Sequence, residues 1–474
     1  MSACSWVDEM LAQEITDQSG AMKFLSKRLN VEAAAPASID VPRVFSLDRM
    51  HRLMSVLGDP HLSCPVVHVA GSKGKGSVCE MIASGLRAAG LGVGLYTSPH
   101  LQRINERIRV NDVEIEPAHL AEAIRDAGIA AASIELVDDP FTHFELFTAS
   151  AFLHFARSAV DIAVIETGLG GLHDATNVVR PCVTAITAIQ LEHTQILGST
   201  LVQIAAAKAG IIKAGAPAFT IPQTPEVHEV LGRHAAACNV KLLVVGGEAI
   251  DYSHRYYVPE AGVPRMSRAM RVTVKGDGFA CDSVSVPFAG EHQAWNCGLA
   301  LAVLGAVAKS GLGVDMSRAA EGVAAAPVRG RLEWLRMGEG SNSRCVAIDG
   351  AHTPDSMAAL LRTVAGMSTH DALVVVAGAA ADKDVDGILR AIAGGADKAF
   401  FTKATEHRRG ADPRELLRRY EALGGGMAQC VPELGPCLEA AFRSSTPRDV
   451  IVVAGSHLIA GEARTLLQAR LGQK

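Results

Sequence analysis

The chain has 474 residues, is 49% hydrophobic and carries a formal net charge of −5. That length exceeds a single hydrophobic core and predicts two domains. The acidic balance leaves no basic footprint for nucleic acid, so an anionic ligand would be held by locally placed Lys and Arg. Ten cysteines with no Cys-x-x-Cys pair predict a reducing, cytoplasmic setting without a disulfide framework. The first nine residues carry acids where a signal peptide needs a basic start, and no stretch reaches the roughly 20 apolar residues that span a bilayer. A soluble protein with no membrane partner is expected.

In chain order, residues 33–38, rich in Ala, Pro and Ser, read as a surface loop. Residues 66–70 form an apolar, β-branched run, broken by Gly71-Ser72-Lys73-Gly74-Lys75-Gly76-Ser77 and followed by a helical pattern. Strand, glycine-rich turn and helix N-terminus together form a phosphate cradle. Gly74 and Gly76 let backbone N–H groups turn toward one anion, where the helix dipole favours negative charge. Lys75 supplies a mobile cation for terminal phosphates, and Ser77 a hydroxyl where Mg²⁺ would sit. A turn that merely needs small residues is the plainer alternative, and Lys and Ser in register argue against it. The loop is shorter than G-x-x-x-x-G-K-[ST], which implies a variant class.

Further strands are predicted at residues 92–96, 162–166 and 183–189, and helices at 116–127, 146–156 and 201–209. Apolar rather than two-faced strands, alternating with helices, predict a parallel sheet covered on both sides. Residues 250–290, alternating and turn-rich, are expected as an antiparallel edge of this first domain. A junction is expected around residues 324–330. Beyond it a second series has strands at 345–348, 372–377, 398–402 and 449–453, and helices at 356–364, 385–392, 413–423 and 460–471. The fold class is therefore α/β. A P-loop-containing, doubly wound N-terminal domain with a mainly parallel sheet (1–326) precedes a smaller Rossmann-like C-terminal domain (327–474).

Several blocks then follow in order: Thr97-Ser98-Pro99-His100-Leu101, Asn105-Glu106-Arg107-Ile108, Glu166-Thr167-Gly168-Leu169-Gly170-Gly171 and Asp174-Ala175-Thr176-Asn177. Next come Leu191-Glu192-His193-Thr194, Lys208-Ala209-Gly210-Ile211 and Gly290-Glu291-His292-Gln293-Ala294-Trp295-Asn296. The C-terminal blocks are Gly330-Arg331-Leu332-Glu333, Asp349-Gly350-Ala351-His352-Thr353-Pro354, Ala381-Asp382-Lys383-Asp384 and Ala454-Gly455-Ser456-His457. In this order the chain resembles the folylpolyglutamate synthase/dihydrofolate synthase family of Mur-type ATP-dependent amide ligases.

The resemblance implies an activity and a set of roles. A carboxylate of a pterin or folate acceptor attacks the γ-phosphate of ATP, and the amine of L-glutamate then displaces phosphate from the acyl phosphate. Positioning and charge neutralisation would carry most of the rate. Lys75, Lys208 and His352 would be catalytic. Gly74, Lys75, Gly76, Ser77, Asn296, Arg331, Asp349 and His352 would contact nucleotide; the planar Arg fork suits phosphate oxygens. Ser77, Ser98 and Glu166 would hold one Mg²⁺, and His193 and Lys208 a second, with Lys208 carbamylated by CO₂. As an unmodified lysine, Lys208 would instead pair with phosphate or sit solvated. Asp174 would meet the pterin ring, although Asp-Ala-Thr-Asn also makes a tight turn unaided. Lys383 has even claims as a nucleotide contact and as a solvated loop residue, and His68, His143 and His292 are read as structural. The family implies a monomer.

The chain departs from the family pattern at four places. Ser72-Lys73 stands for Thr-Asn in the loop, and Leu172-His173 for Arg-Leu before Asp174. Glu192 stands for Asp, and Thr353 for Asn. Leu172-His173 leaves open a ligase paralogue acting on another carboxylated metabolite. A non-catalytic ATP-binding regulatory module is the remaining alternative.

Overall fold

The computed structural model describes residue 11 and residues 13–30, 46–136, 139–258, 268–339, 342–405 and 409–472. The loop expected at 33–38 lies outside the described residues. Eight strands form the first sheet: β1 (Val66–Ala70), β2 (Val93–Tyr96), β3 (Ile108–Val110), β4 (Val113–Glu114), β5 (Ile162–Glu166), β6 (Pro181–Ile186), β7 (Ala218–Thr220) and β8 (Leu242–Val244). Their order is β4-β3-β2-β5-β1-β6-β7-β8. All pairings from β2 to β8 are parallel, and β3 and β4 add an antiparallel edge.

The apolar run of β1 follows from its place in the middle of this sheet. Val67 and Val69 face the helix Lys75–Ala88, while Val66 faces the helices Leu47–Val56 and His143–Arg157 on the other side. With both faces buried, no polar alternation can appear. The helix predicted at 116–127 runs on as Pro117–Ile134, where Ala130 and Ala131 stay buried. The helix predicted at 146–156 begins earlier, at His143, because Thr142 and Glu145 cap it reciprocally.

Residues 250–290 pair antiparallel as expected and share a core with the first sheet, but they form a sheet of their own rather than extending it. β9 (Ile250–Tyr257), β10 (Ala269–Gly276) and β11 (Phe279–Ser285) form a separate antiparallel sheet in the order β11-β10-β9. Met270, Val272 and Val274 alternate inward and share one core with the helix Glu291–Lys309. The strands and turns were legible, but the partner was set by that helix.

The last sheet has the order β12-β13-β17-β14-β15-β16. It comprises β12 (Glu333–Met337), β13 (Arg344–Ile348), β14 (Leu373–Ala377), β15 (Lys398–Lys403), β16 (Met427–Glu433) and β17 (Val450–Ala454). Only β12 runs antiparallel to its neighbour. Helices Pro354–Met367 and Val385–Ala393 cover one face, and Leu434–Ser444 and His457–Gly472 the other. No helix among the described residues is long and apolar enough to cross a membrane.

Candidate active site

Ligands of open α/β sheets bind beyond the carboxyl ends of the strands, where strand order reverses. Here β2, β5 and β1 are adjacent, and their registers pair Tyr96 with Ile165 and Val69 with Glu166. The turn after β1, Glu166 at the end of β5 and Ser98 after β2 therefore converge. The turn is pinned from below: Ser72 and Lys73 donate their N–H groups to the Ala188 carbonyl at 2.8 and 3.2 Å. Gly74, at φ 91, then opens the helix Lys75–Ala88. Helix geometry leaves the first N–H groups, at Lys75, Gly76 and Ser77, without an intrahelical acceptor. Lys75 folds back, with Nζ donating to the Gly71 carbonyl at 3.1 Å.

Glu166 is 3% exposed and its Oε2 accepts the Ser98 N–H at 3.2 Å. Burial raises its carboxyl above the usual range, against the pull of Lys75 and Arg331. Arg331 stands two residues before β12 of the last sheet and lies on the helix start. A Cβ placed on Gly76 would be 2.2 Å from Arg331 Nη2 and 3.2 Å from Glu166 Oε2. Asn296 lies over Gly74 in the same way, its amide 2.7 Å from a would-be Cβ. Asn296 Nδ2 donates to Gln293 Oε1 at 2.9 Å, and Gln293 Nε2 to Ser77 Oγ at 3.3 Å.

Lys208 is only 1% exposed; its Nζ donates to the Gly71 carbonyl at 2.8 Å and to Glu192 Oε1 at 2.9 Å. Burial, with Lys75 nearby, lowers its pKa to about 8, while Glu192 opposes the shift. Burial also works against the Glu192 carboxylate, but Lys208 and Lys75 outweigh it and hold that group below its ordinary value. His193 follows at an exposed, left-handed position (φ 47) that starts the short helix Thr194–Leu197.

On the opposite wall, β13 and β17 are neighbours, so the segments after them meet. Asp349 accepts the Leu332 N–H at 2.7 Å and the Ala351 N–H at 2.8 Å. It thereby holds a turn in which Leu332 takes φ 50, a strained value for a side chain of that size. Burial pushes the Asp349 carboxyl up to about 6. His352 Nδ1 lies 2.8 Å from the Gly350 carbonyl, which can only accept, so Nδ1 carries the proton and Nε2 is left as the base. Burial lowers the His352 pKa, with Lys73 and Lys383 adding to the effect. Its ring is 5.2 Å from that of His457. Thr353 in place of Asn keeps the helix start intact, capping Pro354–Met367 together with Ser356.

Asp174 is buried and commits its carboxylate locally. Oδ2 accepts the Leu169 N–H at 2.8 Å, and Oδ1 accepts the Thr176 N–H at 3.0 Å together with the Thr176 hydroxyl. The tight turn foreseen for Asp-Ala-Thr-Asn is present, and Asp174 remains within electrostatic reach of Lys75 and Lys208. Lys383 is exposed, within reach of Lys73 and His352. Residues given no role from the sequence also join the cleft: Gln293, His457, and the pair in which Arg107 Nε donates to His100 Nδ1 at 3.0 Å. Each lay inside a conspicuous block; Gln293 and His457 meet partners distant in sequence, Ser77 and His352, whereas Arg107 and His100 are seven residues apart.

The residues at Ser77, Ser98 and Glu166 suit a hard cation. They offer oxygen donors, and the Glu166 carboxylate is buried with one backbone N–H on it and cations at a distance. The second expected metal position is different. An unmodified Lys208 ammonium has three donors and no lone pair, and here it is taken by Glu192 and Gly71. Among the described residues, no group of three or more His, Cys, Asp or Glu gathers as a metal cluster.

Comparison with known proteins gives these residues a context. The Mur ligase middle domain matches residues 69–304, and the Mur ligase glutamate ligase domain matches residues 330–457. A probable bifunctional folylpolyglutamate synthase/dihydropteroate synthase of Haloferax volcanii is 35% identical over 88% of this chain and 48% of its own length. The chain thus spans about half of that relative. A dihydrofolate synthase/folylpolyglutamate synthase of Mycobacterium tuberculosis is 33% identical over 89% of this chain and 90% of its own length. A structure of Mycobacterium tuberculosis folylpolyglutamate synthase complexed with ADP superposes with a TM-score of 0.81, at 32% identity, over 95% of this chain and 98% of that one. The chain belongs to the folylpolyglutamate synthase/dihydrofolate synthase family, built on Mur ligase domains.

Proposed function

We propose that this protein is an ATP-dependent ligase that joins L-glutamate to a pteroate or folate-glutamate carboxylate through an acyl phosphate, acting as a cytoplasmic monomer. The observation that carries the reading is the meeting of Arg331 with the Gly76 helix start, beside Lys75 and Glu166. There Lys75, which opens the helix after β1, and Arg331, from the turn before β12, bring two cations to the unpaired N–H groups of one helix, an arrangement that stabilises charge on a transferring phosphoryl group. The family relatives named above, and the ADP bound by one of them, support ATP as the substrate.

In this reading the helix N–H groups and Lys75 hold the β- and γ-phosphates, and Arg331 neutralises charge developing on the γ-phosphoryl oxygens. Ser77, Ser98 and Glu166 would hold Mg²⁺, which when bound screens the phosphate oxygens against one another. An acceptor carboxylate oxygen bonds to the γ-phosphorus as the bond to ADP breaks. The glutamate amine then bonds to the acyl carbon, the C–O bond to phosphate breaks, and a proton leaves nitrogen. Neutral His352, with Nε2 available, is the group we assign to take that proton. Asn296 and Asp349 complete the nucleotide contacts, and Asp174 the acceptor side.

Lys208 bears the most conditional role. Carbamylation needs a neutral amine, and a pKa of about 8 makes a substantial neutral fraction available at mildly alkaline pH. The product would be an anion facing Glu192 across the present ion pair, so it would require a cation between them. Lys208 and His193 would hold a second metal only after that change.

The acceptor is the open point of specificity. Leu172 is 43% exposed, so the departure at Leu172-His173 places an apolar side chain on the surface near Asp174. That observation favours, as a second reading, a Mur-type ligase acting on a different carboxylated metabolite.

The acyl phosphate is tested with an acceptor whose carboxylate carries ¹⁸O. One labelled oxygen should appear in inorganic phosphate for each amide formed. Unlabelled phosphate accompanying labelled amide would rule out the proposed intermediate.

A further inference from the structure

Three residues beyond Ser98 the chain leaves the first sheet and docks onto the last one. Glu106 shapes this segment: its Oε2 accepts the Leu101 N–H at 2.8 Å, and its Oε1 the N–H groups of Gln102 and Arg103, both at 2.9 Å. Three consecutive donors on one carboxylate fix the loop. Leu101 then enters a socket made by two glycines. A Cβ on Gly330 would stand 2.8 Å from the Leu101 methyl carbons, and one on Gly461 only 1.9 Å from the Leu101 carbonyl oxygen. The Leu101 side chain packs against the core formed by β13, β17 and the helix His457–Gly472. Gln102 Nε2 donates to Thr465 Oγ1 at 2.6 Å, and its Oε1 accepts from Arg464 Nη1 at 2.5 Å.

The circuit closes on the phosphate loop. Arg464 Nε donates to both oxygens of Glu333 at 2.9 Å, and Glu333 Oε2 accepts the Gly330 N–H at 2.9 Å. Gly330 immediately precedes Arg331, whose guanidinium lies on Gly76. We propose that Leu101 and Gln102 are positioning residues: seated between Gly330, Gly461 and Arg464, they hold Arg331 on the phosphate loop and tie that placement to Ser98. The obstacle a side chain at position 461 would meet is a backbone carbonyl, which cannot swing aside as a side chain can. An added methyl there must therefore move the helix His457–Gly472 off the loop, and the Gly330–Arg331 turn with it. The activity arm of the test rests on the ligase reading above; the scattering arm does not.

The experiment compares wild type with Gly461→Ala, Leu101→Ala, Leu101→Met and Gln102→Ala, measuring melting temperature, steady-state kinetics, and small-angle scattering with ADP bound. Gly461→Ala and Leu101→Ala should lower kcat roughly 10- to 100-fold, as expected when a contact to the reacting group is misplaced by about an ångström. Their ADP-bound particles should be more extended than wild type. Volume-conserving Leu101→Met should keep wild-type kcat. Gln102→Ala, on a part-exposed loop, serves if Gly461→Ala fails to fold, and should also lower kcat. Lowered melting temperature with wild-type kcat and dimensions in these variants would overturn the proposal, since it would show a purely structural contact. If wild type itself turns over no acceptor, the ligase reading fails, and unchanged dimensions in Gly461→Ala would then overturn this inference independently.

Discussion

Lys75 and Lys208 donate to the same carbonyl: Gly71 O receives Lys75 Nζ at 3.1 Å and Lys208 Nζ at 2.8 Å. Two ammonium groups brought to one oxygen repel each other, which is part of why the Lys208 pKa falls to about 8. Glu192 offsets only one of them directly. An anion arriving at this loop therefore meets a site already short of negative charge, the condition under which a terminal phosphate binds strongly.

Removing the mobile member of the pair tests that statement. Lys75→Ala should lower turnover on the order of 10²–10³-fold, the usual cost of losing one preorganised donor to developing charge. The melting temperature should stay near wild type, since Lys75 is only part-buried and bonds a single carbonyl. Near-normal ligation would remove Lys75 from the phosphate site.

Lys208 should behave differently. Lys208→Met removes the partner of Glu192, whose carboxylate is largely covered, and leaves the Gly71 carbonyl one donor short. A loss of about 1–3 kcal/mol is expected, read from the urea midpoint, because unsatisfied polar groups carry their full desolvation cost. Mass spectrometry of native protein under CO₂ would separately show whether the wild-type lysine is modified.

Asp349 gives the pH dependence. Its carboxyl is raised by burial from 3.8 to about 6, although the N–H groups of Leu332 and Ala351 and the charge of Arg331 favour the anion. Because the folded value is the higher one, its contribution to stability is fully present below pH 3.8 and is lost as pH rises through 6. Activity should run the other way, since the anion accepts both N–H groups of the Leu332 turn, beside Arg331, more strongly than the protonated acid. An acid limb near pH 6 in kcat/KM is expected for wild type, disappearing in Asp349→Asn with a lower plateau. A limb that persists unchanged in that variant would assign the titration elsewhere.

Gly76→Ala separates fold from function. The added methyl meets the far end of the Arg331 side chain, which can swing away without moving backbone. Circular dichroism and melting should stay near wild type while kcat falls at least about tenfold, a change of about 1.4 kcal/mol in the barrier. Wild-type kcat would show that Arg331 need not occupy this position.

The sequence exposed those elements that are buried on both faces. β14 and β17 are continuous apolar runs, β1, β5 and β13 are interrupted only by His68, Glu166 and Arg344, and the glycine-rich turn after β1 stands out through Gly74, Lys75 and Ser77. β7 is three residues long, too short to stand out, and β16 is a largely exposed edge strand containing Pro432. β12 mixes charged and apolar residues, because it pairs on one side only. At the site, residues held by local rules were visible: Asp174 caps its own turn, and Thr353 its own helix. The contacts of Arg331 with Gly76, Gln293 with Ser77 and Leu101 with Gly461 span the chain, and no local pattern encodes them.

Glutamate ligation to a pteroate-type carboxylate is read from ADP and phosphate release with ATP, Mg²⁺ and L-glutamate, comparing dihydropteroate, tetrahydrofolate and no acceptor. Release should require both glutamate and a pteroate compound, with the more effective acceptor defining the reaction. Demonstrable ATP binding with no release on either acceptor would contradict it, and would assign the site around Leu172-His173 to a different carboxylate.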